Sequence, residues 1–249
     1  YVKIYFIGMP FNILYNFGSA VLRAVGDTRR PLVFLAIAGV TNVILNVIFV
    51  AVFKMDVAGV ALATIISQAI SAILVLLCLM RAQTSIRFDA RKMRVYKDKL
   101  LELARIGLPA GLQGTLFSLS NVLIQSTVNS FGSVAMAGNS VSANIEGFIY
   151  VSMNAMHQTA LTFTSQNVGA RMYARLRKIA LTSVLIVTAI GLTLDTVALV
   201  LREPLMRIYS EEPAVIEAGM MRLMVFATTY FLCGVMDTLC GVLRGMGAT

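Results

Sequence analysis

Seven long apolar runs, joined by short segments that hold most of the charge, dictate what this chain can fold into. They cover roughly residues 4–23, 32–53, 58–80, 106–130, 134–163, 179–201 and 215–243. Each is close to the ~20 mainly apolar residues that an α-helix needs to cross a bilayer's hydrocarbon core. Pro10 interrupts the first run. Pro109 lies near the start of the fourth, where a missing N–H costs little. The seventh run has no proline and is predicted to be one unbroken helix. Hydrophobic residues make up 58% and charged residues 13% of the chain, against about 25% charged in soluble domains. Too little polar surface remains to face water. The predicted fold class is all-α, a polytopic transmembrane helical bundle.

The net charge of +9 raises nucleic acid as a partner, but the distribution of that charge excludes it. One set of connections holds Arg23, Arg29 and Arg30; then Arg81, Arg87, Arg91, Lys92, Arg94, Lys97, Lys99 and Arg105; then Arg171, Arg175, Arg177 and Lys178; then Arg244. These are 16 of the 21 basic residues. The alternate set holds Lys3, Lys54, Arg202, Arg207 and Arg222. Basic residues mark the cytoplasmic side, so the first helix enters from outside and the seventh ends in the cytoplasm. On this count no basic residue sits deep in a run. Segment 82–104 is the long cytoplasmic connection. Asp89 is expected to cap a short helix in which Met93, Tyr96, Leu100 and Leu103 form an apolar stripe lying on lipid. The predicted organisation is residues 1–81 as three helices, 82–104 as the linker and 105–249 as four helices.

A repeat links the two parts. LRAVGDT at 22–28 closes the first run and LRGMGAT at 243–249 closes the last. Arg23 and Arg244 would meet the negative ends of helix dipoles. Gly26 and Gly247 would supply the left-handed residue that ends a helix. Asp27 or Thr28 would then cap the next helix. A repeat in corresponding positions of two halves is a common transporter design. The chain starts inside an apolar run and stops inside the repeated motif, which suggests a fragment of a longer protein. Cys78, Cys233 and Cys240 lie in apolar runs without metal or redox spacing and read as inert thiols. There is no GxxxxGK[ST] phosphate loop, no HExxH, and a single histidine. No enzyme activity and no cofactor are expected beyond a coupling ion.

Acids within apolar runs are expensive and usually serve a site. Glu146 leads. Asn139, Tyr150 and His157 lie at i−7, i+4 and i+11, which puts all four within about 40° of one helix direction. Burial favours the neutral form of a carboxyl group and a bound cation favours the ionised form. A proton, a Na+ ion and a cationic guest would therefore compete at Glu146. His157 lies toward the cytoplasmic end and reads as structural. Asp237, with Tyr230 seven residues before it, is a second candidate. Asp195, in the outer third of its helix, is expected to snorkel to the interface. Ser118, Asn121, Gln125 and Asn129 form a polar stripe; Asn42 with Asn46, and Thr64 with Gln68 and Ser71, form two more. Such stripes either glue helices together or line a cavity and coordinate a ligand. The 14 methionines suit adaptable apolar surfaces.

YNFGSAVLRAVGDTRRPL at 15–32, NVILNVIFV at 42–50, VAGVALATIISQ at 57–68, RIGLPAGLQGTLFSLSN at 105–121 and SQNVGA at 165–170 together resemble the multidrug and toxic compound extrusion (MATE) family, most closely its DinF-like bacterial branch. The resemblance implies twelve helices in two six-helix lobes, of which this chain would hold the fourth to tenth. It also implies export of cationic or amphipathic compounds against Na+ or H+, from a multi-pass protein of the bacterial inner membrane, as a monomer. The NorM branch carries a Glu and an Asp where this chain has Phe117 and Cys233, so that branch's cation site does not transfer. Two alternatives stand beside this one. A lipid-linked oligosaccharide flippase of the same superfamily would want a deep basic residue. A seven-helix receptor fits poorly with the linker and the repeat.

Overall fold

The computed structural model describes residues 2–82, 86–89 and 94–248, with side chains from Tyr5 onward. These residues form helices and connections, with no strand among them. They fall into two units, Tyr1–Arg94 and Val95–Thr249.

The first unit holds α1 (Val2–Ala24), α2 (Arg29–Val47) and α3 (Asp56–Arg81), and α2 continues into a π-helical turn, Ile48–Val52. α3 packs against both other helices. Its core is Leu22, Val75 and Leu79, with Tyr15, Phe34 and Cys78 packed around it.

The second unit holds α4 (Lys97–Ser130), α5 (Ser133–Gly169), a 3-10 turn at Tyr173–Arg175, α6 (Leu176–Val200), the short α7 (Arg202–Arg207), α8 (Pro213–Ala227) and α9 (Tyr230–Gly245). α5 is the central post, packing against α6, α8 and α9. One core joins Ile145, Met206, Ile216 and Leu223. A second joins Ile149, Met153, Val187 and Ala198. Where α5 crosses α8, glycine faces glycine. A Cβ on Gly138 would lie 2.8 Å from the Gly219 nitrogen and 2.9 Å from the Val215 oxygen. Small residues at such crossings let membrane helices approach closely.

The repeated heptapeptide closes both helices in the same way. Gly26 has φ +88° and Gly247 φ +83°. In the first copy the Gly26 and Asp27 N–H groups donate to Arg23 and Leu22 carbonyls at 2.9 and 3.0 Å; in the second, Gly247 and Ala248 donate to Arg244 and Leu243 at 2.9 and 3.0 Å. This is the paired bonding that satisfies the last carbonyls of a helix. Asp27 then accepts the Arg30 N–H at 3.2 Å, at the start of α2.

Residues 29–52, 56–81 and 173–200 are long and apolar enough to cross a membrane by length and composition, and the bent α8–α9 pair adds a fourth span. α1, α4 and α5 are long enough, at 23, 34 and 37 residues, but carry more polar side chains.

Four expectations are corrected. The seventh run is two helices, bent by 48°. Neither Pro nor Gly causes the break. Thr228 and Thr229 turn their hydroxyls onto the Val225 carbonyl, at 2.8 and 3.4 Å, which offers the backbone an alternative to the helical ladder. Asp195 does not snorkel. It is 2% exposed, and its Oδ2 accepts the Phe231 N–H at 3.1 Å, capping the restart at α9. Asp195→Ala is therefore expected to lower unfolding stability by about 1–2 kcal/mol, read as a drop in melting temperature in detergent. Asp89 lies in non-helical chain, as do residues 94–96 of the expected surface helix, while residues 90–93 lie outside the described residues. Helix begins at Lys97 and runs unbroken through Pro109 to Ser130; Met93 of the expected stripe lies outside the described residues. Arg222, expected among the outer charges, instead lines a cavity of the second unit.

Candidate ligand-binding cavities

α5 aims Glu146 and Tyr150 at α4 on one side and α8–α9 on the other. The space between is a cavity of about 710 Å³, within the range of small-molecule sites, lined by Phe117, Asn121, Glu146, Tyr150, Arg222, Phe226, Tyr230 and Asp237, among others. Four expected site residues, Glu146, Tyr150, Asn121 and Asp237, thus face one space.

The carboxylate of Glu146 is not alone. Arg222, on α8, places Nη2 2.8 Å from Glu146 Oε2. Ser142, one turn back on α5, donates to Oε1 at 3.1 Å. Nη1 of Arg222 donates to the Asn139 backbone oxygen at 2.5 Å and to Asn139 Oδ1 at 2.6 Å. The guanidinium carbon stands 4.8 Å from the centre of the Phe226 ring. The network extends through neutral amides: Asn139 Nδ2 donates to Gln125 Oε1 at 3.2 Å, and Gln125 Nε2 donates to Asn129 Oδ1 at 2.9 Å. Asn139 and Gln125 therefore hold the arginine from behind the cavity wall, while Asn121 lines the cavity itself.

Arg222 is the residue that sequence reasoning missed. Assigned to the outer basic set, it instead sits in the third turn of α8 and lines the cavity. The signal was available. Arg222 lies inside the run 215–243, and the rule that intramembrane charges find partners holds for bases as for acids.

A second cavity, of about 270 Å³, adjoins the first and shares Gly114, Phe117, Tyr150 and Asp237 with it; His157, Asn154 and Arg244 complete its wall. His157 Nδ1 lies 2.6 Å from the Asp237 backbone oxygen. A carbonyl only accepts, so Nδ1 carries the proton, and the bond ties α5 to α9. Arg244 donates to Gln113 on α4. The Asp237 carboxylate lines both cavities and, among the described residues, makes no hydrogen bond or ion pair. No group of three or more His, Cys, Asp or Glu could hold a metal there. The three cysteines are free thiols.

The first unit has its own pocket, of about 310 Å³, into which Asn42, Thr64, Gln68 and Ser71 converge from the shorter polar stripes. Asn42 donates to Ser67 at 3.3 Å, and Asn46 donates to Asn42 at 3.0 Å. Its lining includes no ionisable acid or base other than the Tyr15 phenol.

Comparison with known proteins agrees with this architecture. The chain is 33% identical over its whole length to the probable multidrug resistance protein YpnP of Bacillus subtilis, covering 55% of that protein. It is 26% identical over 99% of its length to the probable multidrug resistance protein YoeA of the same organism, covering 55% of it. The chain thus spans about half the length of these relatives. The crystal structure of the Vibrio cholerae MATE transporter VcmN in its bent form superposes with a TM-score of 0.86 at 22% identity, over 98% of this chain and 56% of VcmN. That likeness shows an all-α membrane-transporter fold. The lipid II flippase MurJ model matches residues 1–117. The MatE model matches residues 109–249, more than half of the sequence, and the chain accordingly belongs to the MatE family of multi-pass membrane proteins.

Proposed function

We propose that the complete protein containing this chain is a secondary active antiporter that exports cationic or amphipathic small molecules in exchange for Na+ or H+ by alternating access. The observation that carries this is the make-up of the 710 Å³ cavity. Its walls are aromatic, from Phe117, Tyr150, Phe226 and Tyr230, and it holds two carboxyl groups, Glu146 and Asp237, against one guanidinium. The formal balance of −1 favours a positive guest, and the rings add apolar area and cation–π attraction. Glu146 and Asp237 hold the guest or the coupling ion, Na+ included; Tyr150 and Asn121 orient it; Asn139, Gln125 and His157 hold the frame. Neutral oxygens of Asn42, Thr64 and Gln68 line the pocket of the first unit and can coordinate a ligand there. Exchange requires that the two guests bind the transporter's states with different affinities.

The protein acts from the bacterial inner membrane as a monomer. Residues 82–104 serve as the cytoplasmic connection between residues 1–81 and 105–249, with residues 97–104 forming the start of α4. Lys99 and Glu102 at its end form an exposed pair at 2.8 Å.

The MurJ match over residues 1–117 favours a second reading, a flippase for a lipid-linked oligosaccharide. Arg222 supplies the deep basic residue such a substrate would want, but Glu146 already neutralises it. Reconstituted vesicles decide between the two. The antiporter expels a cationic dye when a Na+ or H+ gradient is imposed. Dye retention under both gradients, with transfer of a polyprenyl-pyrophosphate sugar across the bilayer, would establish the flippase instead.

A further inference from the structure

Resting on the antiporter reading above, we infer that Arg222 is a tethered cation. It occupies the Glu146 carboxylate when no guest is bound, and a cationic guest displaces it. The geometry provides for both states. The guanidinium straddles two sets of acceptors: Nη2 meets Glu146 at 2.8 Å, while Nη1 meets the two Asn139 oxygens at 2.5 and 2.6 Å. It also rests on the Phe226 ring. Release of Glu146 therefore does not strand the arginine, which keeps Asn139 and the ring. Nor does it strand the carboxylate, which keeps Ser142 and gains the guest. Burying an unpaired charge is the step that makes most buried ion pairs hard to open, and here it is avoided on both sides.

The pair is also reachable. Both side chains line the large cavity, and the arginine's is 24% exposed. A guest arriving at Glu146 replaces one positive partner with another, and with Arg222 retained on Asn139 it brings the cavity's formal balance from −1 to neutral. The exchange also loosens the junction of α5 and α8, removing its bond through Glu146 and leaving the two through Asn139. Arg222 is thus a specificity-determining residue. It sets the affinity threshold that a guest cation has to exceed, and it rejects cations too weakly bound to displace a guanidinium.

The test is equilibrium binding of tetraphenylphosphonium, a permanent cation without a titrating proton, to the purified complete protein. Arg222→Gln removes the competitor and is expected to tighten Kd about tenfold, within the usual span of coupling between sites of about 5–150-fold. The gain should vanish in Glu146→Gln/Arg222→Gln, where the contested carboxylate is gone. An unchanged or weaker Kd in Arg222→Gln, or a gain that persists in the double variant, overturns the inference while leaving the antiporter intact. If Arg222→Gln does not fold, Arg222→Lys reads the same quantity. A lysine's single ammonium cannot hold Glu146 and both Asn139 oxygens in the planar fork geometry, so Kd should tighten about threefold. An unchanged Kd there counts against the inference equally. Absence of tetraphenylphosphonium binding in every form overturns both the inference and the function it rests on.

Discussion

Glu146→Gln in the complete protein is expected to abolish gradient-driven efflux of a cationic dye, cutting the rate about a hundredfold or more, while the protein still folds and inserts. Two unit charges about 4 Å apart attract by about 4 kcal/mol at an effective dielectric of 20, so loss of the carboxylate removes most of the site's hold on a positive guest. The fold should survive because the glutamine oxygen can still accept from Arg222, as Oε2 of Glu146 now does at 2.8 Å, while its amide N–H can donate to the Ser142 hydroxyl, which now donates to Oε1 at 3.1 Å. Efflux from vesicles under an imposed Na+ or H+ gradient is the measurement, with melting temperature as the control. Wild-type efflux in this variant would remove Glu146 from the site. Asp237, the other carboxylate on the cavity wall, would then be the group to replace.

Gly138→Val is expected to have the largest effect on stability. Its added atoms would meet backbone, the Gly219 nitrogen and Val215 oxygen within 2.9 Å of the Cβ position, and backbone cannot rotate aside. Overpacking of this kind costs about 1–3 kcal/mol. The damage should reach the site as well. Asn139 is the next residue, and its two short bonds to Arg222 depend on α5 and α8 staying this close. Thermal unfolding in detergent should show the loss, and dye binding should weaken with it. A variant as stable as wild type would mean that the crossing can widen freely.

What sequence made legible was whatever depends on solvent and on neighbours along the chain. The helices follow from the apolar runs, and the two left-handed glycines follow from a repeated heptapeptide at helix ends. The shared face of Glu146 and Tyr150 follows from helical periodicity, and both do line one cavity. What stayed hidden depends on distant contacts. The break in the seventh run lies at two threonines that are common in ordinary helices. It becomes a stable break through Asp195, 36 residues away from Phe231. Arg222 reaches Glu146 across 76 residues of sequence, and no periodicity within α8 announces that pairing. Residue counting by loops placed it with the outer charges, because the rule sorts side chains by position along the chain and not by direction. Pro109 reads from the apolar run as a first-turn proline, but α4 begins at Lys97 and places it in the helix interior, where its missing N–H leaves a gap in the ladder.

The joint at Thr228 and Thr229 has a mechanical corollary. Arg222 rides on the rod before it and Asp237 on the rod after it, yet both reach the same chamber. A molecule that touches Asp237 while it dislodges Arg222 acts as a strut across an elbow. Its length, and not only its charge, then sets how far the elbow opens, so cargoes of equal affinity but unequal span would leave the two rods at different angles.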